Sequence, residues 1–410
     1  MSPSTKSAEN PFPTLPLVVV GGGAVGLVAA LAARRQGLPV VVIEAEPEDR
    51  VRPGSRATYL FKETLDLLEV VAPTVPASLV ELSGPWNVIS STWAGKEVYR
   101  REFPPSVPGA FGVSVSQKDQ EQVYLKCCHD EGVLFRWGAG VEKATTDSEG
   151  VDLSLTDGTS IRASYVIGAD GARSAVRSSL GITLDGTRSS SYFVIVDVAD
   201  NESDLVNRER TFHYRHPAVG GRNVLVVPFG GGWRLDLECF PGEDVTQWQN
   251  EPELSRWIAA VGDPSFPERV QWVSTYRFNR SVATSYTDPN ARVLLAGEAC
   301  HLFPPFGGGR GLNSGIADAI FSVEAIAAAL AHPEDATRII RDVANERRQA
   351  GLKNRDAASN ALARMEAATP WRKVQQRVAA VLAPRSDRIG RWFDRGPMGP
   401  SEPVSPRSRF

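Results

Sequence analysis

Two glycine-rich segments lie far apart in this chain, and each stands between a strand-like run and a helix-like run. The first reads VVVGGGAVGLVAA, and its G-x-G-x-x-G spacing falls on Gly21, Gly23 and Gly26. The first such glycine permits a tight turn, the second lets the backbone approach a pyrophosphate, and the third lets a helix pack closely on a sheet. The segment therefore predicts a phosphate-binding turn.

An acidic residue and a helix start complete this first pattern. The helix that begins at Ala24 and Val25 would offer unpaired N–H groups and the positive end of its dipole to phosphate. Glu44 ends the next strand-like run, PVVVIEA at 39–45. An acid at this place accepts hydrogen bonds from ribose hydroxyls and disfavours a 2′-phosphate. Together these features predict a dinucleotide site.

A second motif, YVIGADGARSAVRSS, places Asp170 and Gly171 between a strand-like run and a helix start. Asp170 could bind a sugar or a pyrophosphate-linked group of the ligand. It could equally cap the helix that follows, by accepting from the N–H groups of the first turn. The motif alone leaves both interpretations open.

The second glycine-rich segment, GEACHLFPPFGGGRGLN, begins at Gly297. The carboxylate of Glu298 can accept hydrogen bonds from a polyol, and Pro304-Pro305 stiffens the loop. Glycines at 307, 308, 309 and 311 allow the backbone to lie against a flat ring. A helix near Leu312-Asn313 points its positive end at that ring, and this dipole suits the negative charge of a reduced flavin. FAD carries a pyrophosphate, a polyol and a flavin, so one FAD explains both segments.

These three motifs, in this order, resemble the group A flavoprotein monooxygenases, the family of p-hydroxybenzoate hydroxylase and 3-(3-hydroxyphenyl)propionate hydroxylase. The likeness covers roughly residues 16–375 and includes the dinucleotide fingerprint, the Asp170-Gly171 motif and the Gly-Asp motif at 297–298. Two departures stand out. This chain has Glu298 where the family has Asp, and the PPFGGGRG loop is one glycine longer. We expect FAD binding to survive both changes with a small shift of the flavin.

The resemblance also implies roles for residues that no motif singles out. It places Arg56 beside the flavin, makes Gln117 a second flavin contact and brings Val141 to the adenine end. Leu312 and Asn313 would offer backbone N–H groups to the flavin. The remaining expected cofactor contacts are Ala24, Val25, Pro305 and Gly311.

The resemblance further implies the reaction. In this family NAD(P)H reduces FAD, O2 adds to the reduced flavin, and a flavin C4a-hydroperoxide hydroxylates a phenolic or related aromatic substrate. The protein has to orient the substrate and exclude water. Two alternatives stay open, a flavin-dependent reductase of the same fold and a flavin-binding protein without turnover.

The substrate is expected between the β-rich segment 187–280 and the Pro304-Pro305 loop. In TFHYRHP, strand alternation places Phe212 and Tyr214 on one face and His213 and Arg215 on the other. By the resemblance, His213 is a candidate relay that removes the proton of a phenol, since the pKa of imidazole suits a base. A structural or surface histidine is the alternative interpretation.

The order of helix and strand patterns predicts an α/β protein: a Rossmann-like FAD-binding domain with an inserted, mostly antiparallel β-sheet substrate domain and C-terminal helices. After a flexible tail at 1–14, the FAD-binding domain takes 15–80, 111–186 and 286–375. The substrate domain takes 81–110 and 187–285. A C-terminal helix and a Pro-rich tail take 376–410. Within the FAD-binding domain, the spacing of apolar residues predicts a helix at 57–71, ATYLFKETLDLLEVV.

The composition narrows the partners. A net charge of -3 gives no reason to expect nucleic acid, and no apolar run suggests a membrane span. The four cysteines form no C-x-x-C pair, and the histidines lack metal-ligand spacing. We therefore expect a cytoplasmic monomer or homodimer, without a metal, whose partners are a small aromatic substrate and O2.

Overall fold

The computed structural model describes residues 15–84, 86–103, 112–201, 208–304, 309–367 and 369–398. The predicted tails at 1–14 and after 398, and Pro305 with the three residues after it, lie outside these ranges. The strands are β1 Leu15–Val20, β2 Val40–Ile43, β3 Tyr59–Phe61, β4 Val88–Trp93, β5 Lys96–Glu102, β6 Gly112–Ser114, β7 Leu134–Arg136, β8 Val141–Thr146, β9 Val151–Leu155, β10 Ser160–Gly168, β11 Leu184–Ala199, β12 Glu209–His216, β13 Arg222–Phe229, β14 Gly232–Cys239, β15 Val270–Ala283, β16 Val293–Leu295 and β17 His301–Leu302. The helices are α1 Ala24–Arg35, α2 Lys62–Val71, α3 Val75–Glu81, α4 Gln117–Asp130, α5 Ala175–Ser179, α6 Glu253–Val261, α7 Arg310–Ala331, α8 Ala336–Met365, α9 Pro370–Leu382 and α10 Asp387–Met398.

In the first sheet, β1 lies between two strands that run parallel to it, β2 and β10. The order of the sheet is β7-β2-β1-β10-β9-β8, and β16 pairs with the C-terminal part of β10. The central strands β1 and β2 consist almost wholly of buried Val, Leu and Ile, as expected for strands covered on both faces. Strands β1, β2 and β16 all end beside the glycine-rich segments, so the sheet brings those segments to one edge.

Helix α1 packs on this sheet so closely that two glycines leave no room for a side chain. A Cβ atom at Gly26 would lie 1.8 Å from the carbonyl oxygen of Gly21. Gly21 itself has φ of 104°, and a Cβ there would lie 2.4 Å from the carbonyl oxygen of Ala169. Only glycine fits these two positions, which explains the spacing of the motif.

The second sheet has eight strands in the order β17-β15-β11-β14-β13-β12-β4-β5, and only the β12–β4 pair is parallel. One face, here called the α6 face, packs on α6 through residues such as Val194, Leu235 and Trp257. The other, here called the aromatic face, carries Phe193, Phe212, Tyr214 and Phe278 and packs on the C-terminal helices. The predicted fold class, a Rossmann-like sheet with a mostly antiparallel second sheet and C-terminal helices, is confirmed; the domain limits stay a prediction.

Two local predictions were wrong. Residues 59–61 form β3 rather than the first turn of a helix, because they pair with β6 and because the N–H of Phe61 donates to Oδ1 of Asn313 at 2.9 Å. The four prolines from Arg395 onward predict an extended tail, but α10 continues to Met398 through Gly396 and Pro397. Phe393 of α10 is 2% exposed and packs on the aromatic face, so tertiary contact stabilises this helix.

Helix α7 is long and apolar enough to cross a membrane by length and composition. Most of it, however, is buried among the other elements, with Ile316, Ala319, Ile320 and Val323 each at most 1% exposed. Its apolar sequence is therefore that of a core helix of the fold.

The close contact of Gly26 with Gly21 predicts a large effect of one methyl group. Gly26→Ala should lower the free energy of unfolding by about 3 kcal/mol or more, because a rigid backbone carbonyl blocks the new Cβ. Gly311→Ala is the matched control: no atom lies within 4 Å of its Cβ position, and it lies in a helix. Thermal unfolding of both variants checks this, and equal melting temperatures would contradict the packing argument.

Candidate cofactor and substrate site

The first glycine turn lies directly against the Asp170-Gly171 motif. The N–H of Gly21 donates to the carbonyl of Ile43 at 2.7 Å, and its Cα approaches Ala169 and the N atom of Asp170. The turn is thus held between the ends of β2 and β10. The structure brings together the two motifs that the sequence separates by almost 150 residues.

Glu44 shapes the glycine turn as well as bordering it. Its carboxylate is nearly buried, and Oε2 accepts from the N–H of Gly22 at 2.6 Å while Oε1 accepts from the N–H of Glu46 at 3.0 Å. Nη2 of Arg52 lies 3.7 Å from Oε2. The acid therefore fixes two backbone groups at the end of β2, where a ribose would lie.

The loop before β8 approaches Glu44 through backbone contacts. The N–H of Ala139 donates to the carbonyl of Glu44 at 3.0 Å, and the N–H of Gly138 to that of Glu46 at 3.1 Å. A Cβ at Gly140 would lie 3.2 Å from Cβ of Ala45. The next residue, Val141, is half-buried at the start of β8. Val141 is expected to contact the cofactor through its backbone, and the loop that precedes it does approach Glu44.

The N-terminus of α1 is met by two residues that sequence reasoning missed. The N–H of Ala24 donates to Oε1 of Glu121 at 3.2 Å, and Nε2 of Gln117 donates to the same oxygen at 2.9 Å. Nη1 of Arg52 lies 3.2 Å from Oε2 of Glu121. Gln117 and Glu121 are four residues apart on α4 and so share one helix face. That spacing was the available signal for Glu121, whereas nothing local marks Arg52.

The two glycine-rich helix starts touch each other through Val25. A Cβ at Gly297 would lie 3.0 Å from Cγ2 of Val25, and a Cβ at Gly315 would lie 2.7 Å from the same atom and 3.0 Å from Cα of Gly297. Helices α1 and α7 therefore cross at van der Waals distance, with Gly297 and Gly315 facing Val25. This contact sets the separation between the phosphate-binding turn and the Glu298 turn.

Glu298 lies on a short turn at 297–299 with its side chain exposed to water, and the space around this side chain is here called the recess. Desolvation by the surrounding protein raises the pKa of this carboxyl group, and the neighbouring His301 and Arg56 side chains oppose the rise. Burial raises the pKa of Tyr276 to about 12, with Glu298 adding to the rise and Arg234 opposing it. Glu298, Arg56, Tyr276 and Arg234 thus surround one recess.

The segment that carries Arg56 is tied to the second sheet. The N–H and Oγ of Ser55 donate to the two carboxylate oxygens of Asp197 on β11, at 2.5 and 2.7 Å. The guanidinium of Arg234 on β14 donates to the carbonyl of Arg56 and pairs with Asp236 at 2.8 Å. These contacts aim the exposed Arg56 side chain into the recess, and φ of 53° at Arg56 shows that its backbone is constrained.

The side chain of Asn313 is fully used within the protein. Its Oδ1 accepts from the N–H of Phe61 at 2.9 Å and from Oγ1 of Thr64 at 2.6 Å, and its Nδ2 donates to the carbonyls of Tyr59 and Gly309. It ties β3 and α2 to the start of α7. The helix itself uses the backbone N–H of Asn313, which follows the N-cap Gly309 by four residues, whereas the N–H groups of Gly311 and the half-buried Leu312 have no partner within the helix.

One carboxylate oxygen of Asp170 caps helix α5, as one of the two interpretations predicted. The other carboxylate oxygen is left for another donor. Its Oδ2 accepts from the N–H of Val176 at 3.1 Å, in the first turn of α5. Its Oδ1 is buried and has no hydrogen-bond partner among the residues that the structure describes. Burial raises the pKa of this carboxyl group, and its hydrogen bonds oppose the rise. A buried acceptor without a partner is costly unless a ligand supplies a donor.

His213 does not join the recess. It pairs with Val224, which pairs with Leu237, so it lies on the α6 face, opposite Arg234 and Asp236. Its Nδ1 is 2.9 Å from Oγ1 of Thr92, and burial lowers its pKa to about 4. The alternation predicted from the sequence holds for Phe212 and Tyr214, but the face that His213 occupies is not the one that meets the recess. We therefore make no catalytic proposal for it.

A buried cluster lies beneath Glu298. Asp318 on α7 accepts from Nε2 of His301 at 2.8 Å and from Nε of Arg347 at 2.9 Å. Cys300 lies close enough that these side chains could ligate a metal. Arg347 already supplies the positive charge that Asp318 needs, and it helps to hold the pKa of Asp318 below its usual range against the effect of burial. The cluster supports the Glu298 turn, and we propose no metal there.

The hydrogen-bond donors and acceptors of this site fit FAD. In the turn at 21–26 no Cβ fits on Gly21 or Gly26, and the N–H groups of Gly21, Gly22 and Ala24 already donate to Ile43, Glu44 and Glu121. The remaining N–H groups of the first turn of α1 and its positive dipole end suit a phosphate. Glu44 lies where a ribose would lie, and Asp170 keeps an acceptor without a partner among the described residues. A second acceptor, Glu298, and the start of α7 lie across the Val25 contact. The profile of a family described as the FAD binding domain matches residues 14–358. The chain belongs to this family.

Curated relatives of this FAD-binding protein are named as monooxygenases. It is 29% identical over 336 residues to para-nitrophenol 4-monooxygenase of Pseudomonas sp. strain WBC-3, covering 77% of this chain and 78% of the relative. It is 27% identical over 310 residues to 3-(3-hydroxy-phenyl)propionate/3-hydroxycinnamic acid hydroxylase of Mycolicibacterium gilvum, covering 74% and 52%. The FAD-dependent monooxygenase apdD of Emericella nidulans is 29% identical over 336 residues, covering 74% and 53%. The match thus spans only about half of the length of the last two.

Solved structures share the fold. The crystal structure of p-nitrophenol 4-monooxygenase PnpA from Pseudomonas putida DLL-E4 superposes with a TM-score of 0.76 at 24% identity, covering 94% of this chain and 98% of that one. The flavin-dependent monooxygenase PieE, solved with FAD and substrate, superposes with a TM-score of 0.70 at 24% identity, covering 87% and 64%. The family membership and the architecture therefore agree.

The two hydrogen bonds of Glu44 predict a measurable effect on FAD affinity. Glu44→Gln should raise the dissociation constant of FAD at least about tenfold, because one backbone N–H loses a charged acceptor. Glu46→Gln is the control, since that carboxylate is half-exposed and accepts no hydrogen bond from the turn at 21–26. Titration of the FAD-free protein, followed by flavin fluorescence, measures both. Equal affinities of the two variants would remove Glu44 from the site.

Two further carboxylates share the aromatic face. Glu238 on β14 is 5% exposed and accepts from Nδ2 of Asn223 at 2.6 Å. Burial, and then the nearby charge of Glu366, raise the pKa of Glu238 to about 8. A carboxyl group that stays protonated when folded and ionises when unfolded makes folding less favourable as pH rises between the two pKa values. The wild-type protein therefore loses stability through this group between about pH 4.5 and about pH 8.

Glu238→Gln should remove that loss, because Gln resembles the protonated acid and keeps an acceptor for Asn223. We expect the variant to be more stable than wild type at about pH 8 and the difference to shrink towards about pH 5. Denaturant unfolding at both pH values measures it. Glu334→Gln, at a side chain that is 75% exposed, should show no such trend. A constant difference across pH would mean that Glu238 is ionised in the folded protein.

Proposed function

We propose that the protein is an FAD-dependent monooxygenase that uses NAD(P)H and O2 to hydroxylate a phenolic or related aromatic substrate. The observation that carries the proposal is the Val25 contact, which joins the phosphate-binding turn to the recess around Glu298 and Arg56. The names of the relatives support the same reaction class. A cytoplasmic monomer or homodimer stays a prediction.

FAD, when bound, would accept a hydride from NAD(P)H and supply the reactivity with O2. The start of α1, Gly21 to Gly26, would hold its pyrophosphate, and Glu44 its ribose. Asp170 and Glu298 would accept from its hydroxyl groups. The start of α7 at Gly311 to Asn313 would stabilise negative charge on the flavin.

The aromatic face would hold the substrate. The recess is bordered by Tyr276 and Arg234 of this face, with Ile195 and Leu225 beside them in the sheet register. These side chains would orient an aromatic ring and exclude water from it. In the balanced reaction one oxygen atom of O2 enters the ring as a hydroxyl group and the other leaves as water, with two electrons from NAD(P)H.

The surroundings of Glu298 help to judge the alternative that the protein binds a flavin but does not catalyse a reaction. The longer side chain still reaches the recess and remains coupled to Arg56 and Tyr276. The replacement of the family aspartate therefore keeps an acceptor in place, which favours a working site.

The test is turnover of the FAD-loaded protein with NADH or NADPH, using 4-nitrophenol and 3-(3-hydroxyphenyl)propionate as probes. We expect a probe to stimulate NAD(P)H oxidation and ¹⁸O from ¹⁸O2 to enter the product. Gly21→Val is the control: its side chain would meet the carbonyl of Ala169, so it should bind no FAD and show no stimulated oxidation. Product formation without O2 would indicate a reductase. Stoichiometric FAD with no reduction by either nucleotide would indicate a binder.

A further inference from the structure

Helix α9 carries an apolar face that is exposed to solvent. Five side chains, each at least 40% exposed, follow one another at spacings of one, three or four residues and so share one side of the helix; here called the α9 stripe, they are Trp371, Val374, Val378, Val381 and Leu382. The buried residues of the same helix, Gln376, Ala379 and Ala380, lie on the opposite side. A contiguous apolar face marks an interaction site, whereas single exposed apolar side chains do not.

The helix is held in place without the α9 stripe. Nε2 of Gln376 donates to the carbonyls of Arg364 and Met365 at 2.7 and 2.9 Å, which ties the buried side of α9 to the end of α8. Oγ1 of Thr369 accepts from the N–H of Arg372 at 3.3 Å and so caps the first turn of α9. The stripe is therefore presented on a preformed helix, and a partner would not have to fold it first.

Basic side chains border the α9 stripe. The segment 370–386 contains four arginines and lysines and no acid. Lys373 and Arg377 are exposed and lie four residues apart, between the stripe and the buried side of the helix. Nη1 of Arg385 donates to the carbonyl of Val381 at 3.4 Å, so this cation lies at the C-terminal end of the stripe. These three cations are here called the basic rim.

The acids that flank this segment are engaged elsewhere. Glu366, before it, lies towards the interior, and burial raises its pKa. Asp387, after it, pairs with Arg391. Glu97 of β5, which lines a cavity beside the end of α9, lies 3.5 Å from Nη1 of Arg100. An anionic partner would therefore meet the positive charge of the basic rim.

A second copy of this chain matches the α9 stripe poorly. A twofold contact through the stripe would bring the basic rim of one copy close to that of the other, and like charges repel. Stable interfaces also use about 20–30 residues a side, whereas the stripe has five. An anionic lipid surface has neither difficulty, because its charge complements the rim and a single apolar helix face can enter it.

We propose that α9 binds the surface of anionic lipid bilayers, with the α9 stripe among the acyl chains and the basic rim at the lipid headgroups. Trp371 suits this place, since an indole ring prefers the boundary between headgroups and acyl chains. The helix has 13 residues, too few to span a bilayer, so the binding is peripheral and reversible. It lies after residue 358, where the match to the family profile ends, and the inference does not depend on the reaction.

The first test is co-sedimentation of the FAD-loaded protein with vesicles, made either of phosphatidylcholine alone or of equal parts of phosphatidylcholine and phosphatidylglycerol. We expect binding to the mixed vesicles to be at least about tenfold tighter than to the neutral ones. Added salt should weaken it, because ions screen the attraction between the rim and the headgroups. No binding to either vesicle, or equal binding to both, would overturn the proposal.

The second test changes the α9 stripe at its centre. Val378→Asp should weaken binding to the mixed vesicles at least about tenfold, because a carboxylate does not enter the acyl region and is repelled by the headgroups. Val70→Asp is the matched control: this valine on α2 is 61% exposed, against 52% for Val378, and lies outside the stripe. It should bind like the wild type. Equal binding by both variants would overturn the proposal.

A third measurement needs no variant and so survives a failure of Val378→Asp to fold. Brominated acyl chains quench the fluorescence of tryptophan that enters the bilayer. We expect mixed vesicles with brominated chains to quench the protein more than the same vesicles without bromine, because Trp371 would lie among those chains. Equal fluorescence with both kinds of vesicle would mean that the stripe stays outside the bilayer and would overturn the proposal.

The mass of the protein in solution tests the other occupant. Sedimentation equilibrium should give the same mass for the wild type and for Val378→Asp in the absence of lipid, because the α9 stripe joins no second copy. A wild-type dimer that Val378→Asp separates into monomers would assign the stripe to a second copy of this chain and overturn the proposal.

Discussion

The close crossing of α1 and α7 is the contact on which the rest of the site depends. Val25 fits against Gly297 and Gly315, and a methyl group on either glycine would push the helices apart. The crossing fixes the distance between the phosphate-binding turn and the Glu298 turn, and FAD is long enough to need both. This is why a single chain uses two glycine-rich helix starts almost 300 residues apart.

The second constraint is polar and joins the two sheets. Asp197 and Arg234 on the second sheet hold the backbone of Ser55 and Arg56 on the connection that follows β2. Buried ion pairs contribute little net stability, but they specify one arrangement over others when each donor has a partner. Here they place the aromatic face against the recess.

Sequence patterns predicted elements well where local signals and tertiary packing agreed. The β1-α1-β2 unit follows from periodicity and from the glycines at its turns. The sequence patterns failed where contacts with residues distant in the chain set the local secondary structure. Asn313 draws Tyr59 to Phe61 into a strand, and the aromatic face holds α10 as a helix through Gly396 and Pro397. Helix propensity is weak beside such contacts.

The sequence alone determined the FAD-binding identity, because the glycine spacings, Glu44 and the Asp170-Gly171 motif are local requirements of turns and helix starts. It also determined that residues 212 and 213 lie on opposite faces of a strand, since alternation is a property of the backbone. Only the tertiary structure decided which face meets the recess, and His213 lies on the other face. It also supplied Arg52, Glu121 and Arg234, because the partners of these side chains come from elements distant in the chain.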